Sequence, residues 1–151
     1  MNECTLQLAP IRSVSVVVPV FNSEATLKEL VVRLKANLPG YIEDFEIILV
    51  NDGSCDSCWE VITELAGQEE NVKGINLMQN YGQHNALLAG IERAKCGSII
   101  TVDDDLQYPP EEITKLLDKL GEGFDVVYGK PINRNHKTWR NVGSRIVKSS
   151  M

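Results

Sequence analysis

The run Ser98-Ile99-Ile100-Thr101-Val102 follows Gly97, is largely β-branched, shows no polar alternation, and ends in three consecutive aspartates. Such a run suits a strand covered on both faces, the situation in parallel sheets flanked by helices. Open parallel sheets take their ligands outside the carboxyl ends of the strands. Asp103, Asp104 and Asp105 are therefore expected at the edge where a ligand would sit.

Side chains alternate along extended backbone, which predicts Asp103, Asp105 and Gln107 on one side and Asp104 on the other. Like charges gathered at a strand end repel unless water or a cation intervenes, and all-oxygen donors select hard ions such as Mg2+ or Mn2+. An ion held by few carboxylates shares its shell with substrate phosphates. The alternative is that one aspartate caps the helix opened by Pro109-Pro110-Glu111-Glu112. A cap accounts for one of the three acids, whereas a metal or phosphate site accounts for the group.

The rest of the chain repeats the strand-then-helix alternation. Ser13 to Val20 predicts a first buried strand, with Pro19 near its end marking where regular pairing should stop. Asn22 or Ser23 then caps a helix carrying Leu27, Leu30, Val31, Leu34 and Leu38, which Pro39-Gly40 ends. Phe45 to Val50 predicts the second strand and runs into Asn51-Asp52-Gly53-Ser54. Asp52 is placed to accept hydrogen bonds from a ribose or base, or to serve as an ordinary turn or helix cap. A helix through Trp59, Ile62, Leu65 and Ala66 follows, then a strand from Val72 to Leu77. The polar loop Gln79 to His84 leads into a helix with Leu87, Leu88, Ile91 and Ala94, and His84 in its first turn reads as a surface or capping residue. After the aspartates come a helix with Ile113, Leu116, Leu117 and Leu120 and a strand from Phe124 to Tyr128. The tail predicts a basic loop and a short terminal helix with Trp139, Val142, Ile146 and Val147, spanning 129–151. One predominantly parallel sheet between helix layers follows from this order, in a single domain over 1–151. The stop at Ser149-Ser150-Met151 carries no capping signal, as expected of a chain cut partway.

The 151 residues are 43% hydrophobic, ample for a core. The formal charge of -6 is uneven. No acid follows Asp125, whereas Lys130, Arg134, Lys137, Arg140, Arg145 and Lys148 are all basic. An acidic body argues against nucleic-acid binding, and the basic end suits a diphosphate, an anionic membrane surface or a solvated helix. No run approaches the roughly 20 apolar residues of a membrane span, and the N-terminus lacks a signal peptide's apolar core. A cytoplasmic location is expected. Cys4, Cys55, Cys58 and Cys96 are too few and scattered for a disulfide framework, which fits a reducing compartment.

Neither G-x-G-x-x-G nor G-x-x-x-x-G-K-[ST] is present, so no glycine loop cradles phosphate. Cys55-Asp56-Ser57-Cys58 has the spacing of a thioredoxin-like pair at a helix start, but that reading leaves the aspartates unexplained, and zinc lacks a second pair of ligands. A phosphatase using an aspartate nucleophile is disfavoured because the first strand carries no aspartate.

Four motifs occur in order: PVFNSE at Pro19 to Glu24, VNDGS at Val50 to Ser54, NYGQHNA at Asn80 to Ala86, and VDDDLQYPPEEI at Val102 to Ile113. Together they resemble the family 2 inverting glycosyltransferases of GT-A fold, closest to the polyprenyl-phosphate sugar transferases of the undecaprenyl and dolichyl type. The resemblance runs from about Ser13 to the end of the chain. It implies a Rossmann-like three-layer α/β/α domain that binds a nucleoside diphosphate sugar, a UDP-sugar ahead of a GDP-sugar. The implied acceptor is a polyprenyl phosphate; the alternatives are a glycan acceptor in cell-wall or O-antigen synthesis, or a non-catalytic nucleotide-sugar-binding module.

By the same resemblance Pro19, Phe21 and Asp52 contact the nucleoside. Glu24 and Asp104 belong to the nucleotide-sugar site, although Asp104, pointing away, is the aspartate expected to tolerate substitution. Asp103 approaches ribose or diphosphate, Asp105 holds Mg2+ or Mn2+ with Asp103 and Gln107, and Arg134 faces phosphate. Three positions depart from the family pattern: Ser23 where many relatives have Glu, Gln79 where an Arg often stands, and a third aspartate inside D-x-D. The acceptor-binding half with its catalytic base, and any membrane helices placing the protein on the cytoplasmic face of a membrane, are expected beyond Met151.

Overall fold

The structure, a computed structural model, describes residues 11–129 and 145–148. The elements run β1 (Ser13–Val20), α1 (Glu24–Asn37), β2 (Asp44–Asn51), α2 (Cys58–Gln68), β3 (Val72–Asn76), α3 (Gln83–Ile91), β4 (Ser98–Thr101), α4 (Ile113–Gly121), β5 (Val126–Tyr128) and β6 (Arg145–Lys148). A 3-10 turn at Pro110–Glu112 leads directly into α4.

Strands are ordered β3-β2-β1-β4-β6-β5 in one sheet. β1 lies parallel to both β2 and β4, with Val14 opposite Phe45 on one side and Ser98 on the other. β3 extends the sheet in parallel beyond β2, while β6 is antiparallel to β4 and β5. The order reverses between β1 and β4, which opens a crevice at their carboxyl ends.

The sheet is covered on both faces, which explains the unbroken apolar strands. Val14, Val16, Val18 and Val20 of β1 join Ile47 and Leu49 of β2 in a core with Leu27, Leu30 and Leu34 of α1, Ile62 of α2 and Leu117 of α4. The alternate residues Val17, Ile48, Val50 and Ile99 pack on the other face with Ala86 of α3. Helix α3 comes close because Gly90 has no side chain: a Cβ there would collide with Val17 Cγ1.

Two expectations are corrected. Ile146 and Val147 belong to a strand, not a terminal helix: they pair with Ile100 and Ile99 on one side and with Val127 and Val126 on the other. A β-branched pair suits the gap between β4 and β5, and tertiary pairing overrides a local periodicity that reads equally well as helix. Trp139 and Val142 lie outside the described residues. Pairing also continues through Pro19 to Val20 opposite Asn51, so the proline does not end β1. Among the described residues, no helix is long and apolar enough to cross a membrane.

Candidate nucleotide-sugar site

Four loops converge where β1, β2, β3 and β4 end. The β1–α1 turn begins at Phe21, which is 48% exposed, and at Asn22, which has φ 52°. Positive φ suits asparagine better than most side chains. Ser23 is the N-cap of α1, yet its hydroxyl makes no capping bond. It donates instead to Asp104 Oδ2, which also accepts the Phe21 N–H at 3.0 Å. Thr26 Oγ1 donates to the Asp104 carbonyl oxygen at 2.6 Å. β4 ends at Thr101 and the chain turns at Asp104 and Asp105, so the extended alternation expected through Gln107 does not hold here. Asp103 and Asp104 nevertheless take different partners, Gln83 for the one and the β1–α1 turn for the other. These bonds argue against the expectation that Asp104 tolerates substitution.

The β2–α2 turn is laced to the same segment. Asn22 Oδ1 accepts the Cys55 N–H at 2.8 Å, and the Asn22 N–H donates to Ser54 Oγ at 3.1 Å. Glu24 Oε2 accepts the Ser57 N–H at 2.8 Å, and the Ser23 N–H donates to Cys58 Sγ at 3.2 Å. Glu24 is thus engaged in holding the two turns together.

Asp52 is 3% exposed at the end of β2. Its Oδ1 accepts the Tyr81 N–H at 2.7 Å and its Oδ2 the Gly82 N–H at 2.9 Å. The carboxylate fixes the loop before α3, and Gly53 presses that loop from beneath. At Gly53, with φ +67°, a Cβ would collide with the Asn80 backbone nitrogen. Pro19 is buried inside β1.

Asp103 is half-buried, and Gln83 Nε2 donates to its Oδ1 at 2.9 Å. Burial, then the charges of Asp105 and Asp104, push the Asp103 carboxyl up to about 6, against the opposing pull of Gln83. Asp105 and Gln107 are exposed, and Asp105 Oδ1 accepts the Gln107 N–H at 3.0 Å across Leu106, whose φ is 56°. No aspartate caps the helix after Pro109, so the capping alternative falls away. Arg134 lies outside the described residues.

Among the described residues, no three His, Cys, Asp or Glu side chains are gathered closely enough to hold a metal ion by themselves. The donor chemistry nevertheless fits a divalent cation completed by substrate oxygens: Asp103 and Asp105 supply hard anionic oxygens, and a cation would relieve the carboxylate repulsion that adds to burial in raising Asp103. Sequence reasoning gave Thr26 and Gln83 no role of their own in the site, and met Ser23 only as a helix cap and a departure from the family pattern. The motif Asn80 to Ala86 pointed to the loop that carries Gln83.

The family model for glycosyl transferase family 2 matches residues 15–150. The undecaprenyl-phosphate 4-deoxy-4-formamido-L-arabinose transferase of Pseudomonas paraeruginosa is 45% identical over 139 residues, covering 91% of this chain and 41% of that protein. The chain thus spans about two fifths of the length of the curated relatives it matches. Among solved structures, S. aureus TarS 1-349 in complex with UDP-GlcNAc aligns with a TM-score of 0.63 at 24% identity, covering 85% of this chain and 37% of that one. The mannosyltransferase PcManGT from Pyrobaculum calidifontis, in complex with GDP-Man and Mn2+, aligns with a TM-score of 0.62 at 18% identity, covering 75% and 32%. These two likenesses concern the fold, which is GT-A. With a matching model over nearly all its length, this chain belongs to glycosyl transferase family 2.

Proposed function

We propose that the chain is the donor-binding part of a transferase that moves a sugar from a nucleoside diphosphate, UDP ahead of GDP, onto a polyprenyl phosphate with inversion. The observation that carries this reading is the pair Asp103 and Asp105 just past the end of β4, at the β1/β4 switch point where open parallel sheets take their ligands. The relatives, named as undecaprenyl-phosphate sugar transferases, favour the lipid phosphate over a glycan as acceptor.

Phe21 offers an exposed ring on which a base stacks, next to the loop that Asp52 anchors. Asp103 and Asp105 face the diphosphate. Two carboxylates alone would repel it, so Mg2+ or Mn2+ is the cofactor this pair would hold, with Gln107 alongside. When bound, that ion supplies neutralisation of the leaving diphosphate. The acceptor phosphate is already largely anionic near neutral pH, because a phosphomonoester's second pKa is about 6. Its oxygen bonds the anomeric carbon from the face opposite the diphosphate, the bond from that carbon to the diphosphate breaks, and the electron pair leaves with the nucleoside diphosphate. Little base catalysis is required for such a nucleophile.

The test is isothermal titration of UDP and GDP, each with and without Mn2+, against the chain and its Asp105→Ala variant. UDP binding that Mn2+ strengthens, and that Asp105→Ala makes indifferent to Mn2+, supports the reading. Absent binding of both nucleotides, or binding that Mn2+ does not change, sinks it.

A further inference from the structure

Gln83 is the first residue of α3, directly after the loop whose Tyr81 and Gly82 N–H groups are held by Asp52. Its amide nitrogen lies 2.9 Å from Asp103 Oδ1. Gly82, the N-cap, has φ 90°, a conformation that glycine adopts without strain and that turns the chain into the helix at this point. The loop cannot relax downward, because Gly53 touches the Asn80 backbone closely enough to exclude even a methyl group. Asn85 Nδ2 also donates to the Tyr81 carbonyl at 2.7 Å, tying the loop to the first turn of α3. The backbone that carries Gln83 is therefore held from three directions, and its side chain is spent on Asp103.

An aspartate facing a cation and a diphosphate needs one oxygen fixed and the other free. A carboxylate without such a partner swings among rotamers and loses affinity, which is why hydrogen-bond donors behind metal ligands matter nearly as much as the ligands. A neutral amide suits this task. It donates without adding the positive charge that would compete with a cation, and without the negative charge that would repel the diphosphate. Asp104 cannot substitute for Asp103, since its carboxylate is bound to Phe21 and Ser23.

We propose that Gln83 is the positioning residue for Asp103: through the loop that Asp52 anchors, it holds one Asp103 oxygen so that the other faces the diphosphate and its cation. This rests on the donor-binding reading above. It gives Gln83 a task performed through another side chain, and it links the base end of the site to the diphosphate end through the run Asp52, Tyr81, Gly82, Gln83, Asp103.

The experiment is isothermal titration of UDP into the chain, with and without Mn2+, for the parent, Gln83→Leu, Asp103→Asn and the double variant. Leucine keeps bulk and helix propensity but removes the donor; Gln83→Ala takes its place if the leucine variant does not reproduce the parent's circular dichroism spectrum. In the parent, Mn2+ strengthens UDP binding. Gln83→Leu should cut that strengthening by about 10- to 100-fold, the range seen when partners behind metal ligands are removed, a larger change than in metal-free UDP affinity. In the Asp103→Asn background, Gln83→Leu should change nothing further. The proposal is overturned if Gln83→Leu retains the full Mn2+ effect, if it weakens metal-free binding equally, or if its effect persists in Asp103→Asn. A parent that binds no UDP, or binds it without a Mn2+ effect, brings down the donor-binding reading and this inference with it, an outcome distinct from failure in the variants alone.

Discussion

The hydroxyl of Ser23 donates to the carboxylate of Asp104 across 81 positions of sequence, joining the end of β4 to the turn that opens α1. The same Asp104 oxygen takes the Phe21 N–H. Two loops on either side of the switch point are thereby made into one surface.

Asp104→Ala removes the acceptor of both bonds. With hydrogen bonds to a charged group worth about 1.5–3 kcal/mol each, and this one partly exposed, the variant should lose about 2 kcal/mol in urea denaturation. A loss below about 0.5 kcal/mol would place Asp104 among ordinary surface positions.

Gly53→Ala should be costly twice over. Its φ of +67° is unfavourable for alanine, and the added methyl runs into the Asn80 backbone nitrogen. A destabilisation of about 1–3 kcal/mol follows from the backbone alone. Because the displaced loop carries Gln83, UDP affinity in Mn2+ should fall as well, and titration reads that directly.

Glu46, buried at the opposite edge of the sheet, ties β2 to its neighbours: Oε1 accepts Ser15 Oγ and the Lys95 N–H, each at 2.6 Å, and Oε2 pairs with Lys73 Nζ. Burial works to raise its carboxyl, but Lys73, Ser15 and the Lys95 N–H outweigh it and hold the group below the ordinary 4.5. A carboxyl lowered on folding stabilises the protein above its unfolded pKa and loses that contribution as pH falls through the folded one. Glu46→Gln should therefore cost about 1 kcal/mol near pH 7, and the gap from the parent should close on acidification below 4.5. Thermal melts across pH measure it; a gap that widens in acid would reverse the sign.

Cys55 is exposed and Cys58 buried. Burial, then the hydrogen bond with Asp56, pushes the Cys58 thiol up, which makes it a poor nucleophile. Brief iodoacetamide treatment of the folded chain should label Cys55 and spare Cys58 by mass spectrometry. Equal labelling would contradict the packing of Cys58 beneath Ser23.

Much of this protein is legible in its residues. Ser13–Val20 and Phe45–Val50 are apolar at nearly every pleat because both faces are covered, so burial and parallel pairing follow from the residue pattern. The aspartates sit at a strand end because Val102 is the last apolar residue before them, and the four motifs carry the family. Partner assignments were not legible. The chain leaves β4 at Thr101 and turns at Asp104 and Asp105, so alternation does not sort the aspartates, and nothing local says that Asp104 bonds Ser23 or that Gln83 reaches Asp103, since those partners are 81 and 20 positions away. Ile146 and Val147 fit either a helix or a strand by local pattern, and only the open edges of β4 and β5 decide for the strand. Residue order alone thus says which chemistry stands at the edge of the sheet. Which carboxylates are spent holding loops, and which remain facing the crevice, is settled by the folded arrangement, because a hydrogen bond is set by distance in space and the chain's periodicity carries no record of it.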